Sequence, residues 1–221
     1  MTGTLESQVV EIPPGLPGFL GLPAAARGMV LFAHGSGSGR FSPRNNFVAK
    51  ALRDAGLATL LFDLLTEAEA ADRANVFDID LLARRLLAAT DWVLANPGMR
   101  ELAIGYFGAS TGAAAALVAA AERGDGVSAV VSRGGRPDLA GSALPSVRAP
   151  TLLIVGGADP QVLSLNRQAL RQLHCTSRLD VVPDATHLFE EPGTMEKVVV
   201  LARDWFLAHL ASPEAAHVVR R

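Results

Sequence analysis

Apolar residues arrive along this chain in short, nearly unbroken runs, separated by stretches in which they recur at helical spacing. Met29-Val-Leu-Phe-Ala33, Leu57–Phe62, Leu102–Phe107, Val127–Ser132 and Thr151–Val155 are such runs. Without polar alternation they predict strands buried on both faces, the mark of a parallel sheet. Between them the spacing predicts helices over about 45–55, 80–95, 113–121, 162–173 and 194–210, with one more strand at 178–182. Gly56 closes the first helix and Asn96-Pro97-Gly98 stops the second. Val9–Ile12 and Gly18–Leu22 flank Pro-Pro-Gly and Pro-Gly turn signals and predict an antiparallel pair at one edge. The acidic, alanine-rich stretch through Asp78 reads as a connection. Strands alternating with amphipathic helices predict an α/β fold: a mostly parallel central sheet with helices on both faces.

Composition narrows the picture. With 221 residues, 49% hydrophobic and 19% charged, residues 1–210 are expected to form one domain with its own core, and 211–221 a frayed tail. A formal net charge of -2 and arginine clusters without interleaved aromatics argue against a nucleic-acid surface. No run approaches the roughly 20 apolar residues that cross a bilayer. The N-terminus lacks the pattern of a signal peptide, so a cytoplasmic protein is expected. Cys175, the single cysteine, forms no intrachain disulfide and no thiolate cluster for zinc, and reads as a buried, inert thiol.

The chemistry is concentrated at strand ends. Gly108-Ala-Ser110-Thr-Gly112 joins a predicted strand to a small-residue helix. That is the setting of a nucleophile elbow, where a sharp turn exposes a serine and the helix N-terminus stabilises negative charge beside it. Asp159 follows the strand and glycine pair Leu152-Leu-Ile-Val-Gly-Gly157, and His187 lies just past the last strand. Histidine is the side chain that accepts and returns a proton near neutral pH. Chain order Ser…Asp…His is the order this architecture uses for a triad. Asp184, in the turn before His187, is the alternative orienting acid.

His34-Gly-Ser-Gly-Ser-Gly39 is a second glycine-rich turn. It is expected to offer a backbone N–H of Ser36 or Gly37 to an oxyanion, with Thr111 N–H as the other donor and His34 shaping the turn. No Gly-Lys-Ser/Thr ending follows, which speaks against a phosphate loop at these glycines. Arg40, Arg133 and Arg136 are candidate substrate contacts, with Arg44 and Asn45 nearby. Pairing of Arg133 with Asp138 is the structural alternative. Asp63, Asp159, Asp184, His34 and His187 form no paired-histidine motif, so no metal and no cofactor are expected.

On these residues the chain resembles the alpha/beta-hydrolases, and more narrowly the dienelactone-hydrolase-related branch. The likeness covers about 5–210 and rests on His34-Gly35, Gly108–Gly112, Gly157-Ala-Asp159, and Ala185-Thr-His187 with Glu190-Glu-Pro-Gly193 behind it. It implies Ser110 as nucleophile, His187 as base, Asp159 as orienting acid, and backbone N–H groups around Ser36 and Thr111 as the oxyanion hole. True dienelactone hydrolases carry cysteine where this chain has Ser110, which favours carboxylester cleavage. Phe32–Gly39 and Val131–Asp138 also resemble small bacterial hydrolases that occur alone or beside a phosphoribosyltransferase-like domain. Only residues 133–149 separate the strand after the nucleophile helix from the next, too few for a large cap domain. The expected partners are a small or medium ester and water. Lactone, thioester, perhydrolase and noncatalytic binding readings stay open at this stage, as does the oligomeric state.

Overall fold

The computed structural model describes residues 7–210. An eight-stranded sheet runs in the order β1-β2-β4-β3-β5-β6-β7-β8. Its strands are β1 Gln8–Ile12, β2 Leu16–Gly21, β3 Met29–Ala33, β4 Ala58–Phe62, β5 Ile104–Ala109, β6 Ala129–Arg133, β7 Thr151–Gly156 and β8 Ser177–Val182. β1 and β2 pair antiparallel, and β2 joins β4 antiparallel. From β4 to β8 every pairing is parallel.

Helices cover both faces because both faces are apolar. On one side α1 (Pro43–Asp54) and α7 (Thr194–His209) pack Val48, Leu52, Val198 and Phe206 against Val30, Phe32, Phe107 and Val131. On the other, α4 (Ile79–Ala95) and α5 (Thr111–Arg123) lie on Leu31, Tyr106 and Leu153. Leu82, Leu86, Ala89 and Val93 form the buried stripe of α4, at the spacing that keeps one helix face toward the sheet. In α5 the run Ala113–Ala116 is wholly buried. Its small side chains let that helix sit close to β5.

Two expectations change. The stretch after β4 holds two short helices, α2 (Glu67–Ala70) and α3 (Arg73–Phe77). A capping box starts α2: Thr66 accepts from Glu69 N–H while the Glu69 carboxylate accepts from Thr66 N–H. Helices of one turn are too short to show an apolar period, so the sequence pattern read this stretch only as a connection. Helix α6 (Pro160–Leu170) starts earlier than its periodicity indicates, because Asp159 caps it and Pro160 fits its first position. Between β6 and β7 the chain makes only 3₁₀ turns over Pro137–Ser146, and no cap domain forms there. Among the described residues no helix is long and apolar enough to cross a membrane.

Candidate active site

The carboxyl ends of β3, β5, β6, β7 and β8 meet along one edge of the sheet, the place where open α/β sheets bind ligands. Ser110 sits between β5 and α5 with φ 51 and ψ -123, a conformation rarely adopted by a residue with a side chain. Neighbouring backbone enforces it. A Cβ at Gly108 would stand 2.4 Å from Ala113 Cα, and one at Gly112 would stand 2.2 Å from the Ala33 carbonyl oxygen. Only glycines let β5, the elbow and β3 approach this closely.

His187 and Asp159 are brought together. His187 Nδ1 lies 2.9 Å from Asp159 Oδ2, and Asp159 Oδ1 accepts from Val162 N–H at 3.2 Å. One carboxylate therefore caps α6 and orients the imidazole, leaving Nε2 directed away from the acid. Asp184 stands in a left-handed turn with φ 62 and takes no part in that pair. The loop carrying His187 is tied down by Glu191, whose carboxylate accepts from Thr186 N–H at 3.1 Å. The Thr186 side chain first, and backbone N–H groups including that of Thr186 after it, hold the Glu191 carboxyl below its usual range.

The segment 133–136 connects these parts. Arg136 N–H donates to Ser110 O at 3.0 Å, and Ser110 N–H donates to Arg133 O at 3.4 Å. Gly134 packs against His187, where a Cβ would come within 3.1 Å of the histidine carbonyl oxygen. Asn166, buried in α6, donates to Gly135 O at 2.9 Å. Sequence reasoning passed over Asn166, since a single asparagine inside a helix carries no signal of a partner 31 residues upstream.

The glycine-rich turn after β3 touches the elbow directly, as a Cβ at Gly35 would lie 2.8 Å from Ser110 Cβ. Ser36 N–H donates to Thr111 Oγ1 at 3.1 Å. It is therefore engaged in this structure, whereas Gly37 N–H and Thr111 N–H have no acceptor among the described residues. His34 is fixed by two bonds: Nδ1 lies 3.0 Å from Gly35 O, and Nε2 accepts from Leu64 N–H at 3.0 Å. Burial lowers its pKa, opposed by the Gly35 bond and by Asp63. A neutral histidine spent on two backbone groups shapes the turn.

The candidate arginines divide. Arg40 pairs with Asp63 and lies over the ring of Phe41 at 4.3 Å. Arg136 makes a two-pronged pair with Asp138 at 2.9 and 2.7 Å. Asp138 thus belongs to Arg136, and Arg133 has no carboxylate partner among the described residues. A cleft of about 910 Å³ opens at the glycine turn, walled by that turn, Arg40, Arg44, Leu65, Glu67 and Val76; Ser110, Asp159 and His187 are not among its walls. Cys175 is half-buried near Thr151, and burial raises its pKa. It lies far from Ser110 in the sheet order.

Comparison with known proteins agrees with this architecture. A structure described as a dienelactone hydrolase from Anabaena variabilis superposes with a TM-score of 0.89 at 56% identity, covering 93% of this chain and 99% of that one. Est1E from Butyrivibrio proteoclasticus shares the fold, with a TM-score of 0.76 at 16% identity over 92% of this chain and 98% of its own. A Mycobacterium tuberculosis protein provisionally named a phosphoribosyl transferase is 60% identical over 208 residues, which is 94% of this chain and 47% of that protein. The chain thus spans about half the length of the curated relatives it matches. The dienelactone hydrolase family model matches residues 18–208. By that match and by its alpha/beta-hydrolase architecture, the chain belongs to the dienelactone hydrolase family.

Proposed function

We propose that this chain is a metal-independent serine hydrolase that cleaves small or medium carboxylic esters through an acyl-enzyme. The observation that carries the reading is Ser110 held at positive φ in the elbow at the start of α5, on the same sheet edge as a His187 already hydrogen-bonded to Asp159. A serine hydroxyl is a weak nucleophile at neutral pH and needs an adjacent base. His187 Nε2 takes its proton as Oγ attacks the ester carbonyl. The imidazolium then protonates the departing alcohol, and the neutral imidazole next activates water to release the acid. Asp159 fixes the tautomer and stabilises the cation.

Negative charge forms on the carbonyl oxygen as Oγ bonds to carbon. Thr111 N–H, at the positive end of α5, and Gly37 N–H are the proposed donors. Ser36 N–H becomes a third only when Thr111 Oγ1 turns away. Ser110 Oγ has no hydrogen bond to His187 among those of the described residues, as is common for catalytic pairs before substrate closes them. The open cleft and the short 134–150 connection between β6 and β7 suit small or medium acyl chains better than long lipids. The transferase name of the Mycobacterium relatives belongs to proteins of which this chain matches 47%, and the Ser110 edge calls for no such chemistry.

The test is steady-state turnover of short aryl and alkyl esters, lactones and thioesters by wild type, Ser110→Ala and His187→Ala. Removing either residue is expected to lower kcat by about 10⁴-fold or more. Full turnover in either variant, or a preference for long-chain triglycerides, contradicts the reading.

A further inference from the structure

Arg133 presents an unusual combination. It is 7% exposed, its Nε is buried without a hydrogen-bond partner, and no carboxylate among the described residues pairs with it. A buried cation without a counter-charge is strongly unfavourable unless something supplies one. Its guanidinium reaches the first turn of α1, with one nitrogen 3.5 Å from Asn45 Oδ1 and the carbon 5.8 Å from the Phe189 ring centre. Burial, with Arg44 adding repulsion, pushes its pKa down to about 10, which leaves it charged at neutral pH.

The start of α1 is itself positive. This 12-residue helix has no acidic residue in its first turn; Pro43 has no N–H and Ser42 Oγ accepts from Asn45 N–H at 3.4 Å, which leaves Arg44 N–H as the first-turn donor without an acceptor among the described residues. Arginines at a helix N-terminus oppose its dipole, so two of them together are locally unfavourable. Arg44 Nε is also buried and unpartnered, and its one carboxylate contact among the described residues is Glu190 at 3.4 Å, whose side chain is 64% exposed. Such an exposed pair screens little. Arg44 also lines the cleft beside the glycine turn, which gives a ligand a way to Arg44.

We propose that the first turn of α1, Arg44 and Arg133 together bind a phosphate group, carried by the ester that Ser110 opens. A helix N-terminus with two guanidinium forks matches the geometry and charge of a phosphate. The site is distinct from the glycine-rich turn, whose sequence lacks a phosphate-loop ending. Its second half, that the phosphate belongs to the substrate, rests on the hydrolytic reading above; the first half does not.

Binding of inorganic phosphate is measured by calorimetry on the 221-residue Ser110→Ala chain in a phosphate-free buffer. Saturable one-to-one binding is expected, weakened at least about tenfold by Arg133→Lys and by Arg44→Met, and unchanged by Arg148→Met on the far surface. A merely structural role for Arg133 would lower the melting temperature without moving phosphate affinity. Absence of saturable binding, or equal binding in both arginine variants, overturns the site. A second arm compares kcat/KM for 3-acetoxyphenyl phosphate and phenyl acetate on protein with Ser110 intact. A preference for the phosphorylated ester of about tenfold, lost in Arg133→Lys, is expected. Phosphate binding without that preference assigns the site to free phosphate and overturns the substrate half. Phosphate binding with no hydrolysis of any ester sinks the proposed function and leaves the site standing.

Discussion

Asp159 does two jobs with two oxygens, and the pair separates catalytic from structural effects. In Asp159→Asn an amide oxygen still caps α6 through Val162 N–H, while the charge facing His187 is gone. We expect kcat to fall by about 10²–10⁴-fold with the melting temperature little changed. An Asn variant turning over within a few-fold of wild type would assign the orienting role elsewhere. His34 gives a different signature, in stability against pH. Its folded pKa lies below its ordinary value, so the folded protein keeps it neutral where the unfolded chain already binds a proton. Its contribution is therefore complete above about pH 6.5 and declines as pH falls below that value. Denaturant unfolding between pH 8 and 5 should show a steeper loss for wild type than for His34→Gln, whose amide oxygen can still accept from Leu64 N–H. Equal slopes would contradict a neutral, buried His34.

At the scale of elements, the elbow depends on how closely β3, β5 and α5 approach. Gly112→Ala would place a Cβ 2.2 Å from Ala33 O and 2.5 Å from His34 O, both of them backbone atoms. Backbone cannot step aside as a flexible side chain can. We expect a loss of about 1–3 kcal/mol or more in unfolding free energy, with activity falling alongside it. An unchanged unfolding midpoint would mean the turn is looser than described. The same closeness explains what could be read in advance. Gly108 and Gly112 stand in the sequence because the packing admits nothing larger, so they mark Ser110 without any structure. Buried strands with continuous apolar character were equally visible. The one-turn helices α2 and α3 were not, since they bury no residue and make no apolar period. Which arginine meets which carboxylate was also hidden. Arg133 and Arg136 are equivalent in the string Arg-Gly-Gly-Arg, and only the fold gives Asp138 to one and buries the other without a partner.

For the whole molecule, sheet order matters more than sequence distance. Residues 34, 110, 133, 159 and 187 belong to five different strand ends, and parallel pairing places those ends on one edge. Family membership accounts for that scaffold, while the chemistry depends on the side chains standing on it. The proposal that Ser110 is an activated nucleophile is tested most directly by covalent capture. Wild-type protein is treated with a fluorophosphonate at neutral pH, and the adduct is located by intact mass and peptide mapping, with Ser110→Ala and His187→Ala in parallel. One adduct per chain on Ser110, absent from Ser110→Ala and greatly slowed in His187→Ala, is the predicted result. An unlabelled wild type, or an adduct on another residue that persists in Ser110→Ala, would contradict it.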